Sequence, residues 1–331
     1  MFTVHSLRGG LVESTHAVSV AVVDVKGHLR AEAGNPDRVT IMRSAAKPFQ
    51  ALPLVQDGAA DRFDVSPQEL ALACASHNSE RRQVELVAAW LERIGCAESD
   101  LACGPHRPLW RDLAIRDLED PRELDPVPHT PVASNCSGKH TGMLTLVRHH
   151  EWDTAGYNRR GHAVQDRLLA EMARFTGVPA DAIGQAVDGC AAVTVALPLR
   201  AMALGFAKLG ARHEPAEARI VDAMVSHPDL VAGSGRLCTV LMTAFPGRVI
   251  AKVGAEGVYG AALLDEGLGI AVKVEDGNPW ACNVALLAAL GQLGLEVESK
   301  DALRMFAALP ILNTRRDEVG VMRAVGTLAK A

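Results

Sequence analysis

The 331-residue chain lacks the charge pattern of a nucleic-acid-binding protein. It has 39 acidic and 34 basic residues and a net charge of -5, and it contains no run of lysine or arginine. Such a chain offers no positive field to phosphate backbones. We therefore expect no nucleic-acid partner.

Long apolar segments are also missing. No stretch of about eighteen residues is both apolar and free of charge, and the first ten residues, MFTVHSLRGG, lack the basic and apolar regions of an export signal. We expect no membrane association and a cytoplasmic location.

The cysteines do not form the even, closely spaced set of a disulfide-stapled domain. Their odd number and wide spacing, without an export signal, favour free thiols, metal ligands or small buried side chains. The seven are Cys74, Cys96, Cys103, Cys136, Cys190, Cys238 and Cys282.

Strand patterns are present near both ends of the chain. HAVSVAVVDVKGHLRAEAG predicts a strand to about Val25, a turn at Lys26 and Gly27, and a returning strand, and RVTIM is a third extended run. Near the other end, RVIAKVGAEG, VYGAALLDEG and LGIAVKVEDG predict an antiparallel meander, followed by a final helix in NPWACNVALLAALGQLG.

Helical spacing dominates the middle of the chain, in SPQELALACASH, ERRQVELVAAWLERIG, GHAVQDRLLAEMARFTG, AAVTVALPLRAMALGFAKLG and PAEARIVDAMVSHP. The Pro-, Asp- and Arg-rich residues 105–140 predict a long surface excursion. We expect an α+β fold, one domain with two lobes. The predicted sheet lobe comprises about 1–45 and 245–331, with an antiparallel sheet built from both chain ends and flanked by helices. The predicted second lobe, about 46–244, is mainly helical.

The first candidate site is IMRSAAKPFQ, in which Ser44 precedes Lys47 by three residues. On a helix this spacing places the hydroxyl and the amine on one face. Burial and a neighbouring cation, Arg43, could lower the pKa of Lys47, so that its amine takes the proton of a serine nucleophile. The alternative is an ordinary helix cap with a solvated lysine.

Two further triplets favour the nucleophile. CASHNSE contains Ser76, His77 and Asn78, an SxN triplet, and IAKVGAEG contains Lys252 and Gly254 in a KxG triplet. SxxK, SxN and KxG in this order resemble the three signatures of serine β-lactamases and penicillin-binding proteins. Ser76 follows Ser44 by only about 32 residues, which departs from the usual arrangement of that fold.

The second candidate site contains Cys136, Lys139 and His140 in ASNCSGKHTGM, and Asp188 and Cys190 in AVDGCAAVT. Two thiolates and a neutral amine could hold zinc, although CxxK is not an ordinary zinc spacing. From the residues alone, the two cysteines could equally be buried structural thiols. GSGRLCT, with Arg236 and Cys238, could be a substrate loop or a plain turn.

Together, RSAAKP, ASHNSE, NCSGKHTGM, VDGCAAVT, GSGRLCT and KVGAEGV resemble the asparaginases of the Rhizobium etli type, also called class 3 or the asparaginase II family. The likeness covers nearly the whole chain. It implies a fold similar to serine β-lactamases and glutaminases, a homodimer, and hydrolysis of L-asparagine to L-aspartate and ammonia.

The resemblance also assigns roles to individual residues. It implies two Ser/Lys pairs, Ser44 with Lys47 and Ser76 with Lys252. It implies a Zn2+ site of Cys136, Lys139 and Cys190 completed by water. Residues that hold or orient the substrate match Arg43, His140, Asp188 and Cys238.

The expected mechanism is attack of Ser44 on the side-chain carboxamide carbon, with Lys47 as the base and an acyl-enzyme intermediate. The second pair would relay a proton or help to activate the first, and backbone N–H groups near Ser44 and in the KxG strand would supply an oxyanion hole. Asp188 would bind the substrate's α-ammonium, Arg43 would face a carboxylate, and zinc would order the substrate.

Four alternatives stay open at this point. A glutaminase needs the same chemistry and a slightly longer pocket. A β-lactamase or peptidase would use the same motifs, but is normally exported. The chain could also be a zinc-dependent amino-acid-binding protein or sensor on an inactive hydrolase scaffold. A cysteine nucleophile, Cys136 with His140, is the fourth alternative.

Overall fold

The computed structural model of the protein describes residues 2–106 and 129–331. Most of the surface excursion predicted at 105–140 therefore lies outside the described residues. The strands are β1 (Thr3–Arg8), β2 (Leu11–Asp24), β3 (Leu29–Ala33), β4 (Val39–Ile41), β5 (Gly184–Val187), β6 (Val193–Pro198), β7 (Val249–Gly254), β8 (Val258–Leu263), β9 (Leu268–Val274), β10 (Ala308–Leu312), β11 (Glu318–Val325) and β12 (Ala329–Lys330).

The α-helices of the described residues are α1 (Lys47–Gln56), α2 (Ala59–Arg62), α3 (Pro67–Ala73), α4 (Arg81–Arg93), α5 (Ser137–His150), α6 (Ala163–Thr176), α7 (Leu199–Ala211), α8 (Pro215–Ser226), α9 (Pro228–Val231), α10 (Leu237–Ala244), α11 (Pro279–Gln292) and α12 (Asp301–Ala307). In this part of the chain, no helix combines the length and the apolar character needed to cross a bilayer.

The chain divides into two compact units. Unit 1 comprises Met1–Ala45, Ala196–Ala211 and Val240–Ala331, and unit 2 comprises Ala46–Val195 and Arg212–Thr239. Unit 1 contains the large sheet, and unit 2 is mainly helical. α7, which the sequence places in the helical lobe, belongs to unit 1 because it packs on β2, β8 and β9.

The sheet of unit 1 is antiparallel and uses strands from both chain ends. Its order is β10-β11-β1-β2-β9-β8-β7, with β3 paired to β2 and β12 paired to β3. β2 is 14 residues long, so it pairs with β1 near its start (Ser14 opposite Ser6) and with β9 near its end (Val22 opposite Ile270). The predicted α+β class, the β2–β3 hairpin and the β7–β9 meander are confirmed.

Two predictions about individual elements are wrong. The predicted helix in AAVTVALPLRAMALGFAKLG begins as strand β6, whose β-branched Val193–Thr194–Val195 favours extended backbone, and only Leu199 onward is helical. α11 is not the final element, because α12 and β10–β12 follow it. β11 mixes exposed and half-buried residues without a clean alternation, so its sequence gives little strand signal.

Small residues allow α7 to lie directly on the sheet. A Cβ atom added to Gly269 of β9 would lie 1.9 Å from the backbone oxygen of Ala203 in α7. One added to Gly260 of β8 would lie 2.0 Å from Cε2 of Phe206. The helix and the sheet thus approach so closely that no side chain fits between them at these points.

Unit 2 is organised around α5, which is buried from Ser137 to Val147 although it contains several polar residues. α1, α3, α4 and α6 all pack against it. Buried polar side chains require hydrogen-bond partners. Polar residues buried along a central helix therefore indicate a site rather than a purely apolar core.

Replacing Gly269 with Ala tests the close contact of α7 with the sheet. The added methyl group would overlap the Ala203 carbonyl, so we expect a loss of about 1 to 3 kcal/mol or more in the free energy of unfolding, measured by urea denaturation. Gly291→Ala is the matched control, because Gly291 of α11 has no atom within 4 Å of its Cβ position. That variant should be neutral or more stable by up to about 1 kcal/mol. Equal stability of the two variants would contradict the packing described here.

Candidate active site

Ser44 lies in unit 1 in a short 3-10 turn, Arg43–Ala46, just before α1. The side chain is half-buried. Arg43 before it has a φ of 51°, a left-handed conformation that costs a non-glycine residue about 1 kcal/mol or more. Strained backbone of this kind is concentrated at functional sites.

The KxG strand adjoins the Ser44 segment within unit 1. The Cβ position of Gly254, at the end of β7, is 2.7 Å from the backbone oxygen of Met42. Lys252 on the same strand is completely buried, and its Nζ donates to the backbone oxygen of Val253 at 3.0 Å. The KxG strand therefore adjoins the segment that leads into Ser44 within this unit.

Lys47 begins α1 in unit 2, and only 1% of its surface is exposed. Its Nζ donates to the backbone oxygen of Ala75 at 2.5 Å, to Ser76 Oγ at 3.0 Å and to Cys136 Sγ at 3.1 Å. The amine therefore joins the start of α1, the segment after α3 and the start of α5.

The segment that carries Ser76 is held by its backbone on two sides. The Ser76 N–H donates to the Val231 carbonyl at 3.0 Å, and the His77 N–H donates to the Asn135 carbonyl at 3.2 Å. Arg236 of the GSGRLCT loop donates to the Ser76 carbonyl at 3.3 Å and to Asn78 Oδ1 at 3.2 Å. Ser76 is 3% exposed, so its hydroxyl faces Lys47 in a fixed position.

His77, next to Ser76, is a neutral structural residue. Its Nδ1 accepts from the Ser79 N–H at 3.1 Å, so its Nε2 carries the proton and donates to Ser137 Oγ at 2.9 Å. Complete burial, reinforced by the nearby positive charge of Lys47, lowers the pKa of His77 to about 3.

Cys136, Cys190 and Lys139 form a buried thiol–amine cluster. Lys139 Nζ lies 2.9 Å from Cys190 Sγ. A hydrogen bond from the Cys136 thiol lowers the pKa of Cys190 far below its usual value, against the effect of burial and with help from the Lys139 charge. The same bond, with burial, raises the pKa of Cys136. Burial alone would lower the pKa of Lys139, but the Cys190 thiolate raises it. Without a metal, the cluster is a thiol, a thiolate and an ammonium.

The donor set of this cluster fits zinc. Two sulfur ligands and one amine suit a borderline-soft cation and leave a fourth position for water. Among the described residues, no three His, Cys, Asp or Glu side chains converge in a way that could hold a metal. A zinc ion here therefore needs Lys139 as its third protein ligand.

His140 follows Lys139 on α5 and is completely buried. Its Nδ1 lies 2.7 Å from the hydroxyl of Tyr157, and its ring also forms a hydrogen bond with the Cys190 side chain. Burial lowers the pKa of His140, although the nearby Cys190 thiolate opposes the shift.

The loop that carries Cys190 is a tight turn. The Ala191 N–H donates to the Asp188 carbonyl at 2.9 Å, the Asp188 N–H donates to the Ala192 carbonyl at 2.9 Å, and Ala191 has a φ of 68°. Asn158 Nδ2 donates to the Ala191 carbonyl at 2.7 Å. Asp188 is close enough to raise the pKa of Lys139 slightly, and so lies at the edge of the thiol–amine cluster.

The predicted site residues are thus distributed over both units. Unit 2 brings Lys47, Ser76 and Cys136 together, and it brings Cys190, Lys139 and His140 together. Cys238 is buried in α10, two residues after Arg236. Arg43, Ser44 and Lys252 belong to unit 1. The pairs Ser44–Lys47 and Ser76–Lys252 each join residues of different units, and they stay predictions.

Sequence reasoning missed several residues of this site. Tyr157 and Asn158 hold His140 and the Cys190 loop, but no motif marks them. The contact of Lys47 with the Ala75 carbonyl cannot be predicted from the sequence, because every residue has a backbone carbonyl group. Ser137 was part of a recognised motif but had no assigned role. The scarcity of tyrosine, with only two in the chain, is the one signal that could have drawn attention to Tyr157.

A buried lysine–serine contact beside a thiol–amine cluster, in an α+β protein, defines a candidate site with acid–base and metal-binding chemistry. Residues 4–324 match the model of the L-asparaginase II family. The chain therefore belongs to that family.

Other comparisons give weaker similarities. No curated protein matches. Two solved structures of Mglu in its native form align with the chain. The first, in the presence of 4.3 M NaCl, is 17% identical in sequence and has a TM-score of 0.39. The alignment covers 90% of this chain and 66% of the Mglu chain. The second Mglu structure is 18% identical and has a TM-score of 0.37, and its alignment covers 93% of this chain and 71% of the Mglu chain. The chain spans just under two thirds of the length of the first Mglu structure. A β-lactamase from Mycobacterium bovis aligns with 13% identity and a TM-score of 0.35, and the alignment covers 84% of this chain and 96% of the β-lactamase chain.

His77 predicts a specific acid sensitivity. Its pKa in the folded chain, about 3, lies below that of an unfolded histidine, near 6.5. Only the unfolded chain binds a proton between these values, so this contribution to stability is complete above about pH 6.5 and falls as the pH drops toward about 3. Between about pH 6.5 and pH 4.5, this group alone should lower the free energy of unfolding by about 2 kcal/mol.

The measurement is the free energy of unfolding against pH for the wild type and for His77→Gln, which keeps a donor for Ser137. We expect a shallower acid slope in His77→Gln. The exposed His213 provides the control His213→Gln, which should keep the wild-type slope. Parallel curves for His77→Gln and the wild type would refute the neutral buried state.

Proposed function

We propose that the protein is an L-asparaginase of the Rhizobium etli type, which hydrolyses L-asparagine to L-aspartate and ammonia. The observation that carries this proposal is the buried Lys47 amine, 3.0 Å from Ser76 Oγ, in a chain of the L-asparaginase II family. A lysine held against a serine hydroxyl is the arrangement that activates a hydroxyl nucleophile or relays its proton.

Ser44 is the proposed nucleophile, and Lys47 is its proposed base once the amine has lost one of the three protons that it donates in the structure. Ser44 is more accessible than Ser76, and the strained Arg43 before it supports a functional position. Attack of Ser44 Oγ on the carboxamide carbon forms a C–O bond while the proton passes to Lys47. Collapse of the tetrahedral intermediate then breaks the C–N bond and returns a proton to the leaving ammonia. Water attacks the resulting acyl-enzyme and releases aspartate.

Ser76 and Lys252 form the proposed second pair. The contact of Lys47 with Ser76 supports a relay in which the proton taken by Lys47 passes through the Ser76 hydroxyl toward the leaving nitrogen. Both lysines are buried, so water does not compete for these positions. Backbone N–H groups near Ser44 and in β7 are the proposed oxyanion hole, at about 3 to 4 kcal/mol per donor.

The remaining proposed roles concern substrate and metal. Arg43 would bind the substrate carboxylate, Asp188 would bind its α-ammonium, and His140 and Cys238 would orient it. Cys136, Lys139 and Cys190 would hold Zn2+, supported by the fit of their donor set. When bound, the metal supplies a fixed positive charge that orders substrate oxygen atoms. A homodimer and a cytoplasmic location remain part of the proposal.

The alternatives differ in what supports them. A cysteine nucleophile at Cys136 is disfavoured because its pKa is raised, which leaves little thiolate. Glutamine is longer than asparagine by one methylene group, and a binding pocket can discriminate between the two by about 1 to 3 kcal/mol. The ratio of kcat/KM for asparagine to kcat/KM for glutamine therefore distinguishes an asparaginase from a glutaminase. A chromogenic cephalosporin tests for β-lactamase activity in the same assay.

Ser44→Ala tests the nucleophile. Ammonia release from asparagine should fall by at least about 1,000-fold because no acyl-enzyme can form, while asparagine binding, measured by calorimetry, should persist. Ser299→Ala, on an exposed serine, is the matched control and should keep full activity.

An electrophilic asparagine analogue and mass spectrometry of the labelled peptide locate the nucleophile directly. We expect the adduct on Ser44. An adduct on Ser76 or Cys136 would reject this assignment. Asparagine binding without any turnover in the wild type would favour the zinc-dependent binding protein instead.

Zinc binding should release about two protons per metal ion at neutral pH. The metal-free cluster holds a protonated Cys136 and a protonated Lys139, and both must lose their protons to coordinate zinc. Calorimetric titration of zinc in buffers of different ionisation enthalpy measures this number. Lys139→Met should release about one proton and bind zinc more weakly. Unchanged affinity in Lys139→Met would contradict a Cys136–Lys139–Cys190 site.

A further inference from the structure

Two residues of ASHNSE, Asn78 and Glu80, take no part in the mechanism proposed above. Asn78 completes the SxN triplet, and it is 0% exposed. A buried amide needs hydrogen-bond partners for both its nitrogen and its oxygen. The partners that the structure provides therefore show what this residue does.

The carboxamide of Asn78 is bonded to the GSGRLCT loop through both its nitrogen and its oxygen. Its Nδ2 donates to the backbone oxygen of Ser234 and to Oε1 of Glu80, each at 3.1 Å. Its Oδ1 accepts from Nη1 of Arg236 at 3.2 Å. Both amide protons are thus donated to protein acceptors. Asn78 is therefore committed to the loop, and its amide nitrogen has no proton left to donate to a substrate.

Glu80 completes the contact with the same loop. Its Oε1, which accepts from Asn78, also accepts from the Ser234 N–H at 2.7 Å. Glu80 is the N-cap residue of α4, a position at which serine, threonine, aspartate and asparagine are preferred. The two donors to Oε1 lie outside α4, so the glutamate at this position is explained by the loop rather than by the helix.

The backbone of both segments is shaped for this contact. Gly233 has a φ of 123°, and a Cβ atom added to it would lie 2.4 Å from Nδ2 of Asn78. Ser79, between Asn78 and Glu80, has a φ of 70°, and its Oγ donates to the Ala133 carbonyl at 2.5 Å. Left-handed backbone at a residue other than glycine is strained and is concentrated at functional sites. The two segments thus meet at a distance that only glycine permits on the loop side.

The loop and the residues just before it hold the backbone of Ser76. Nη1 of Arg236, which contacts Asn78, also donates to the Ser76 carbonyl at 3.3 Å. The Ser76 N–H donates to the carbonyl of Val231, two residues before the loop, at 3.0 Å. The peptide groups on both sides of Ser76 are therefore fixed by one segment. The Ser76 hydroxyl lies 3.0 Å from the Lys47 amine.

We propose that Asn78 and Glu80 are positioning residues, which together form a clamp that holds the GSGRLCT loop against the Ser76 backbone. The clamp keeps the Ser76 hydroxyl within hydrogen-bond distance of Lys47, so that it can relay a proton during turnover. This inference rests on the proposed function for its effect on turnover. The existence of the clamp does not depend on that function.

Hydrogen exchange of backbone amides, measured by mass spectrometry of short peptides, tests the clamp without an activity assay. In Glu80→Ala the Ser234 N–H loses its acceptor. We therefore expect the amides of Ser234 and Ser76 to exchange at least about tenfold faster than in the wild type. Glu80→Gln retains an oxygen that can accept from both donors, so it should keep the exchange rates of the wild type.

Glu214→Ala is the matched control for the exchange measurement. Glu214 is the N-cap residue of α8, and its N–H donates to the side chain three residues later, as the N–H of Glu80 does in α4. This variant should leave exchange at Ser234 and Ser76 unchanged. Unchanged exchange in Glu80→Ala, or the same increase in Glu214→Ala, would overturn the clamp.

Kinetics with asparagine test the effect on turnover. Glu80→Ala should lower kcat about 10- to 100-fold, because a misplaced Ser76 hydroxyl no longer relays the proton. KM should change by less than about threefold, and Glu80→Gln should restore kcat to within about threefold of the wild type. An equal loss of kcat in Glu80→Gln, or normal kcat in Glu80→Ala despite faster exchange, would refute the positioning role.

Gly233→Ala disturbs the clamp from the loop side should Glu80→Ala fold poorly. Its methyl group would overlap Nδ2 of Asn78, so we expect the same loss of kcat and faster exchange at Ser76. Gly161→Ala is the control, because Gly161 also has a positive φ, 83°, but no described atom within 4 Å of its Cβ position. Equal behaviour of the two variants would contradict the contact between the loop and Asn78.

Failure of the proposed function and failure of the clamp give different results. Absence of ammonia release in the wild type would reject the proposed function and, with it, the effect of the clamp on turnover. The exchange rates of Glu80→Ala and Glu80→Gln would still confirm or reject the clamp itself.

Discussion

The site of unit 2 depends on the three hydrogen bonds of the Lys47 amine. They connect the first residue of α1 to the segment after α3 and to the cysteine that precedes α5. A lysine buried at this depth is tolerated only where its donors are satisfied, so the three segments must keep their positions together. The serine hydroxyl, the thiol and the amine are therefore pre-organised, and this lowers the cost of positioning them during a reaction.

Cys136 links this amine to the candidate metal site. It accepts from Lys47 and donates to the Cys190 thiolate, which in turn faces Lys139. The Cys190 thiolate thus lies between the thiol that donates to it and the Lys139 ammonium, an arrangement that limits the desolvation cost of these buried charges. Because one thiol belongs to both groups, occupation of the cluster by zinc would change the environment of Lys47. The proposed Ser/Lys chemistry and the proposed zinc site would therefore be coupled through Cys136.

The sequence predicted most of the fold where the pattern was strong. The β2–β3 hairpin and the β7–β9 meander carry clear turn residues, and the helices of unit 2 carry regular apolar spacing. The errors fall where local patterns conflict with tertiary packing. β6 and α7 together read as one apolar helix, because a strand and a helix that are both buried share the same composition. β10–β12 were missed because they are partly exposed, so their strand state depends on pairing with β1 and β3 rather than on their own residues.

By itself, the sequence determined which chemical groups are available: two serines, three lysines and two cysteines in recognisable motifs, and a family match that gives them an order. Only the tertiary structure decided that Lys47 contacts Ser76 and Cys136, that Arg236 and Val231 hold the Ser76 segment, and that the Tyr157 hydroxyl contacts His140. The reason is physical. Motifs depend on residue identity along the chain, whereas these contacts depend on backbone carbonyls and ring orientations that become specific only when distant segments pack together.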